Sequence, residues 1–246
     1  MDSIIDFIFN HREAAPLLVF LLTAVIIAIS FFIAIRKNKK RILALKNYAE
    51  SMGRSLDIES PLPSVDKERW PGFFAEGHSR RVRNKISNLK AGRFSFDMFD
   101  YEYVIGYGKN RSVRRYECAF SKMPKETGSY FPAFSLVPEN LFLRIVDKFT
   151  NEDIDFEDYP HFSKLYHLKG MNTDDVRKLF NTSVLSCMES HPGLEIYCDG
   201  QTITICRHGY LDCEQRASFE YEASEIIQII GMGWHYTDVS SDIYGF

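Results

Sequence analysis

Two stretches of the chain bring together side chains that could bind a metal or move a proton. The first holds Asp153, Asp155, Glu157 and Asp158, followed by His161 and His167. Carboxylate oxygens and imidazole nitrogens are the donors that divalent cations take. In an extended segment alternate side chains share a face, which would aim Asp153 and Asp155 the same way, with His161 as the third candidate ligand. The stretch lacks the glycine and the terminal glutamate of a calcium-binding loop, so a solvated acidic loop is the preferred expectation. The second stretch holds Cys198, Cys206, His208 and Cys213. It contains no C-x-x-C pair, and its spacing fits no common zinc knuckle. Buried cysteines acting as small apolar side chains are expected instead. No metal and no cofactor is expected; Asp153, Asp155 and His161 are the residues that would hold a metal.

Three other motifs invite chemistry and fail on context. Gly106-Tyr107-Gly108-Lys109 suggests a phosphate loop, but Asn110 follows the lysine and strands flank the turn, where a phosphate loop needs a serine or threonine and then a helix. Gly231-x-Gly233 lacks the strand–turn–helix setting of a dinucleotide site. No serine or cysteine sits in a sharp strand-to-helix elbow of the kind a nucleophile occupies.

Charge is the most unusual feature. The chain has 246 residues, 30 Lys+Arg and 33 Asp+Glu, for a net charge of -3. Residues 138–246 carry 8 of the basic and 19 of the acidic residues, a net of -11, which leaves +8 on residues 1–137. His78 to Arg93 contains Arg80, Arg81, Arg83, Lys85, Lys90 and Arg93 without one acid, and Lys109, Arg111, Arg114 and Arg115 follow. The preferred expectation is a solvated face that pairs with the acidic half. The functional alternative is contact with anionic lipid, where each Lys or Arg contributes about 1 kcal/mol. Nothing favours nucleic acid, since the overall balance is acidic and no recognition motif is present.

The lipid alternative has force because of the N-terminal segment. Leu17 to Ile35 has no charged residue. As a helix it spans about 28 Å, close to the hydrocarbon thickness of a bilayer. The basic residues Arg36, Lys37, Lys39, Lys40 and Arg41 follow it, whereas Arg12 is the one basic residue before it. That order is the reverse of a cleaved signal peptide. By the positive-inside rule the C-terminal part lies in the cytoplasm and residues 1–16 outside. Five cysteines with no disulfide pattern suit a reducing compartment.

The remaining elements follow from periodicity. Residues 36–53 continue the helix, with Ile42, Leu45, Ala49 and Met52 as a stripe that packs on the domain or, alternatively, forms a homodimer seam. Residues 54–72 read as a linker, and 73–246 as the soluble domain. Strands are predicted across 92–122, with a slip between Met98 and Phe99 that suggests a bulge or a strand that changes partners. Pro138 is expected to open a helix bearing Leu141, Phe142, Ile145, Val146 and Phe149. A strand is predicted over Phe162–Leu168. Thr173 is expected to cap a helix with a stripe from Val176 to Met188. Asp199-Gly200 predicts a hairpin in which Ile196 faces Ile203 and Leu194 faces Ile205. A last helix is predicted over 217–231. Strands and helices mix without βαβ alternation, so the fold class is α+β, with antiparallel hairpins and about three packed helices behind one transmembrane helix.

The run Phe99-Asp100-Tyr101-x-Tyr103, Gly106-x-Gly108-Lys109, Pro138-Glu139, Asp153-Ile154-Asp155-Phe156 and Phe162-Ser163-x-x-Tyr166 resembles an uncharacterised bacterial family. Its members have one N-terminal span, a basic flank and an α+β cytoplasmic domain. The resemblance implies inner-membrane location and carries no activity, cofactor or catalytic residue. The leading expectation is therefore a membrane-anchored cytoplasmic binding module with a protein partner. The alternatives are a membrane-tethered, metal-dependent enzyme using Asp153, Asp155 and His161, and a sensor of anionic lipid using Arg36, Lys37, Lys39, Lys40, Arg41, Arg80, Arg81 and Arg83.

Overall fold

The computed structural model describes residues 15–63, 73–123, 131–139 and 153–243. The chain divides into two units, Met1–Asn47 and Tyr48–Phe246. The first unit is the shaft of a single helix, α1 (Ala15–Ser51), whose last turn belongs to the second. Pro16 sits at its start, where a missing N–H costs nothing. From Leu17 to Ile35 its apolar side chains point outward all round, with Phe20 and Phe31 each more than two-thirds exposed. It is the one helix among the described residues long and apolar enough to cross a membrane.

The second unit is an α+β domain built on one antiparallel sheet. In chain order its elements are β1 (Asp57–Ser60), β2 (His78–Ala91), β3 (Phe94–Ile105), β4 (Ser112–Lys122), β5 (Phe134–Pro138), α2 (Pro160–Leu165), β6 (Tyr166–Gly170), α3 (Thr173–Leu179), α4 (Thr182–Ser190), β7 (Glu195–Cys198), β8 (Thr202–His208) and α5 (Cys213–Ile243). The strands lie in the order β1-β2-β3-β4-β8-β7-β5-β6. β1 thus forms an edge inside the stretch expected as a linker.

The sheet is apolar on both faces. One face joins the helices in the main core, through residues such as Phe96, Met98, Ile203 and Ile205 against Val184, Phe219, Ile226 and Ile230. Ala49 and Met52 also pack into this core. The opposite face carries Phe99, Tyr101, Tyr103, Tyr116, Cys118 and Cys206, roofed by Phe73 and Phe74 of a short 3-10 turn. Phe73 stacks on Tyr197 at 5.0 Å and meets Tyr116 edge-on at 4.9 Å. Aromatic pairs at such distances add about 0.5–1.5 kcal/mol beyond area burial.

This double core corrects the expected bulge in β3. The register of β3 with β4 is unbroken from Phe96↔Ser121 to Ile105↔Ser112. Phe94, Phe96 and Met98 serve the helical face, while Phe99, Tyr101 and Tyr103 serve the other, so the hydrophobic phase changes without a slip. The irregularities lie in β2, between His78/Arg81, Arg83/Ile86 and Ile86/Leu89. Ser79, Asn84 and Asn88 have positive φ there, a conformation asparagine tolerates better than most residues.

Three further expectations shift. The strand predicted over Phe162–Leu168 is a helix to Leu165 and a strand from Tyr166, because Pro160 opens the helix and Phe162 turns into the core. The helix predicted from Thr173 is two helices. Asn172 caps the first, and Asn181 caps the second by accepting the N–H groups of Ser183 and Val184 at 3.0 and 3.2 Å. In the β7–β8 hairpin Ile196 faces Ile205 and Cys198 faces Ile203. The Asp199 carboxylate accepts the N–H groups of Gln201 and Thr202, which fixes the turn over residues 199–201. The register moves by two residues, so every side chain keeps its expected face. The last helix starts earlier, at Cys213, and runs to Ile243. The helix expected after Pro138 falls at 141–149, outside the described residues.

Candidate functional site

The first part of the basic segment, with Arg80, Arg81 and Arg83, lies toward one end of the sheet, whereas Lys90 and Arg93 lie at the other end, by the β2–β3 turn. β2 begins beside the end of β3, with His78 opposite Val104. Arg81 and Arg115 flank Glu102 in adjacent strands. The β3–β4 turn extends this end, with Gly106 and Gly108 at positive φ and a 3-10 turn over Gly108–Asn110. The glycine motif is thus a hairpin turn, as its flanking strands require. At its tip Tyr107 is 79% exposed and stacks on His78 at 4.6 Å. Ile105 and Val113 are also exposed beside it.

The cations of β2, β4 and the β3–β4 turn divide into two sets. Arg80 is tied to its own turn and donates to the carbonyls of Ala75, Glu76 and Gly77. Lys85 pairs with Asp97 at 2.7 Å. Arg115 donates to Glu102 at 3.0 Å, which holds its guanidinium above its ordinary value. Arg81, Lys109 and Arg111 are exposed. A shallow cavity of about 530 Å³ runs along Glu59–Leu62 and Arg80–Arg83. Of the expected lipid-surface residues, Arg80, Arg81 and Arg83 all line this cavity, with Arg80 held by three backbone carbonyls. Arg36, Lys37, Lys39 and Lys40 are exposed on α1 in the other unit, and Arg41 is half-buried there.

Several ion pairs among the described residues lie within one half of the chain. Lys85–Asp97 and Arg115–Glu102 lie within the first half, and Lys178–Asp175 and Arg207–Glu222 within the second. A buried pair that joins the halves has the opposite polarity. Arg216 of α5 meets Glu117 of β4 at 3.2 Å, with both side chains fully buried.

The acidic stretch separates its three candidates. Asp153 accepts the N–H groups of Ile154 and Leu168 at 3.1 and 2.8 Å, and faces His167 Nδ1 at 2.7 Å. Glu139 approaches the other ring nitrogen of His167. Asp153 therefore ties a loop to β6 and is not merely solvated. Asp155 is exposed, and its backbone carbonyl accepts from Arg177. His161 is exposed and lies 3.5 Å from Glu189. Asp155, Glu157, Asp158, Arg177 and Asn181 are among the residues that line a cavity of about 660 Å³. Asp155→Asn is expected to be neutral within about 0.5 kcal/mol. Asp153→Asn is expected to cost about 1–3 kcal/mol, because it weakens charge-assisted bonds to backbone donors. Urea unfolding of both variants checks this pair.

The cysteine group does not assemble either. Cys206 faces Cys118 across β4–β8 on the aromatic side, with the sulfurs 3.1 Å apart. Cys198 lies in the main core, where burial pushes its thiol up to about 12. Gly231 lies against the Phe94 ring, where a Cβ would overlap it; close packing explains that glycine. The side chains whose donor atoms do converge among the described residues are Cys187, His191 and Glu225, all within 4.8 Å of one another. The Cys187-x-x-x-His191 spacing, i and i+4 on a helix, was the legible signal for them.

A third feature was not legible at all. Glu195 is 2% exposed on the aromatic face and accepts from the Tyr197 hydroxyl at 2.8 Å. Burial, aided by Glu76, raises its carboxyl to about 7 against the pull of Tyr197 and Arg114.

The fold and these sites define an α+β domain behind one apolar helix. No family model, no curated protein and no solved structure matches the chain.

Proposed function

We propose that the chain is a bacterial inner-membrane protein with a single span, and that its second unit is a cytoplasmic binding module. The surface this module meets first is the anionic face of its own membrane. The observation that carries the reading is the hairpin end of the sheet. It exposes Ile105, Tyr107 and Val113 beside the exposed cations Lys109 and Arg111, with Arg81 near them across the register. Tyrosine rings favour the headgroup region, and clustered cations favour anionic lipid by about 1 kcal/mol each. A tether supplies the surface at high effective concentration. The outward apolar shell of α1 and the five cations from Arg36 to Arg41 support the span and its orientation.

Orientation is checked by C-terminal reporters. A cytoplasmic fluorophore is expected to shine and alkaline phosphatase to stay inactive; the opposite pattern overturns the topology. Neutralising Arg36, Lys37, Lys39, Lys40 and Arg41 is expected to give mixed orientation.

Surface binding is checked with residues 48–246, which hold both hydrophobic cores. They are expected to partition onto phosphatidylcholine vesicles only when phosphatidylglycerol is added. Salt is expected to weaken this, since screening acts over about 8 Å at physiological strength. Lys109→Gln with Arg111→Gln is expected to lower partitioning more than tenfold, from about 2 kcal/mol of lost attraction. Equal binding to neutral vesicles, or none at low salt, sinks the proposal.

A further inference from the structure

We propose that Cys187, His191 and Glu225 form a binding site for one zinc-class divalent cation, with the fourth position open to water. The argument begins with the backbone. Cys187 lies in the last turn of α4, and His191 follows four residues later as its C-terminal cap. That spacing places both side chains on one side of the helix end. Glu225 comes from α5, which packs against α4. The three donor atoms, Sγ, a ring nitrogen and a carboxylate oxygen, lie within 4.8 Å of one another. His191 Nε2 and Glu225 Oε2 are already 3.1 Å apart.

Zinc bonds of about 2.3 Å to sulfur and 2.0–2.2 Å to nitrogen or oxygen place tetrahedral ligands roughly 3.3–3.7 Å apart. His191 and Glu225 stand at about that separation, and the thiol needs an adjustment within the reach of a side-chain rotation. One thiolate, one imidazole and one carboxylate make a borderline donor set, suited to zinc and cobalt rather than to magnesium or calcium.

The surroundings hold the ligands and leave an entrance. The Tyr166 hydroxyl donates to the His191 carbonyl at 2.8 Å, and the Ser190 hydroxyl donates to the Cys187 carbonyl at 2.8 Å. These bonds fix the helix end on which two ligands stand. Cys187 is 5% exposed, whereas the side chains of His191 and Glu225 are 15% and 36% exposed. A cation can therefore reach the site from solvent while the sulfur stays shielded. Burial, with Glu225 beside it, lifts the free thiol to about 12. A bound cation must displace that proton, so affinity is expected to rise about tenfold per pH unit for each proton released. The site is independent of membrane anchoring.

The test is cobalt titration of the full chain in detergent micelles, where thiolate ligation gives a near-ultraviolet charge-transfer band and tetrahedral geometry gives intense visible bands. Wild type is expected to show both at one equivalent, and zinc to bleach them. Cys187→Ser is expected to lose the charge-transfer band. His191→Gln, at a partly exposed position and so gentle on the core, is expected to lower affinity roughly a hundredfold or more. Cys213→Ser is expected to change nothing. Absence of a thiolate band in wild type, or unaltered affinity in His191→Gln, overturns the site.

Discussion

Replacing Arg216 by methionine is expected to remove about 3–5 kcal/mol of stability, the cost of breaking a buried ion pair by deleting one partner. Total stabilities are about 5–15 kcal/mol, so the variant approaches unfolding. The guanidinium is fully buried between α5 and the sheet. It pairs with Glu117 at 3.2 Å and donates to the Asn84 carbonyl at 2.8 Å. On the adjacent strand Asp100, 1% exposed, stands opposite Glu117 in the register and accepts from the Asn84 amide at 2.6 Å. Without Arg216, two carboxyl groups share a dry layer and lose their cation. Arg216→Lys is expected to fall between, since an ammonium keeps the charge and loses the planar fork that spans Glu117 and Asn84. Arg216→Met with Glu117→Leu is expected to recover much of the loss, because an apolar pair of similar volume often equals a buried salt bridge. Urea midpoints of residues 48–246 measure all three. A loss below about 1 kcal/mol in the methionine variant would mean that water reaches the pair.

Arg216 also marks the limit of what local sequence pattern carries. The α+β class, the apolar helix, the hairpin turn at Gly106–Asn110 and the core stripe of α4 follow from local periodicity and turn chemistry, and the structure has them. Asp100 and Arg216 do not announce themselves. Each looks like a surface residue in its own element, and only the strand order, which sets β4 beside β8, brings Glu117 under α5. The change of hydrophobic phase at Met98–Phe99 was visible. Its meaning depended on a second core roofed by Phe73 and Phe74, whose partners come from strands as separate in sequence as β2 and β8. The basic segment was legible as composition. Its division into structural Arg80 and open Arg81 depended on a turn that supplies three carbonyls to one guanidinium.

The same second core gives the last prediction. Glu195→Gln is expected to stabilise the domain at pH 8 by about 2–3 kcal/mol and to do little at pH 5. Glu195 sits on the aromatic face of β7, opposite Cys206, and burial raises its carboxyl from 4.5 to about 7. Below pH 4.5 the group is protonated in both folded and unfolded chains, and it adds no pH dependence. Between pH 4.5 and 7 the unfolded chain loses the proton while the folded chain keeps it, so folding weakens as pH rises. Above pH 7 both forms are ionised, and the accumulated cost stays constant at about 3 kcal/mol. Glutamine removes the titration and still accepts from the Tyr197 hydroxyl, at the expense of one amide that needs a partner. Tyr197→Phe acts in the opposite direction: without the hydroxyl that favours the carboxylate, the acid is expected to titrate higher, and the alkaline loss of stability to grow. Urea unfolding of wild type and both variants at pH 5 and pH 8 decides the matter. If the gap between wild type and Glu195→Gln is the same at both values, Glu195 titrates as an ordinary carboxylate and the aromatic roof does not exclude water.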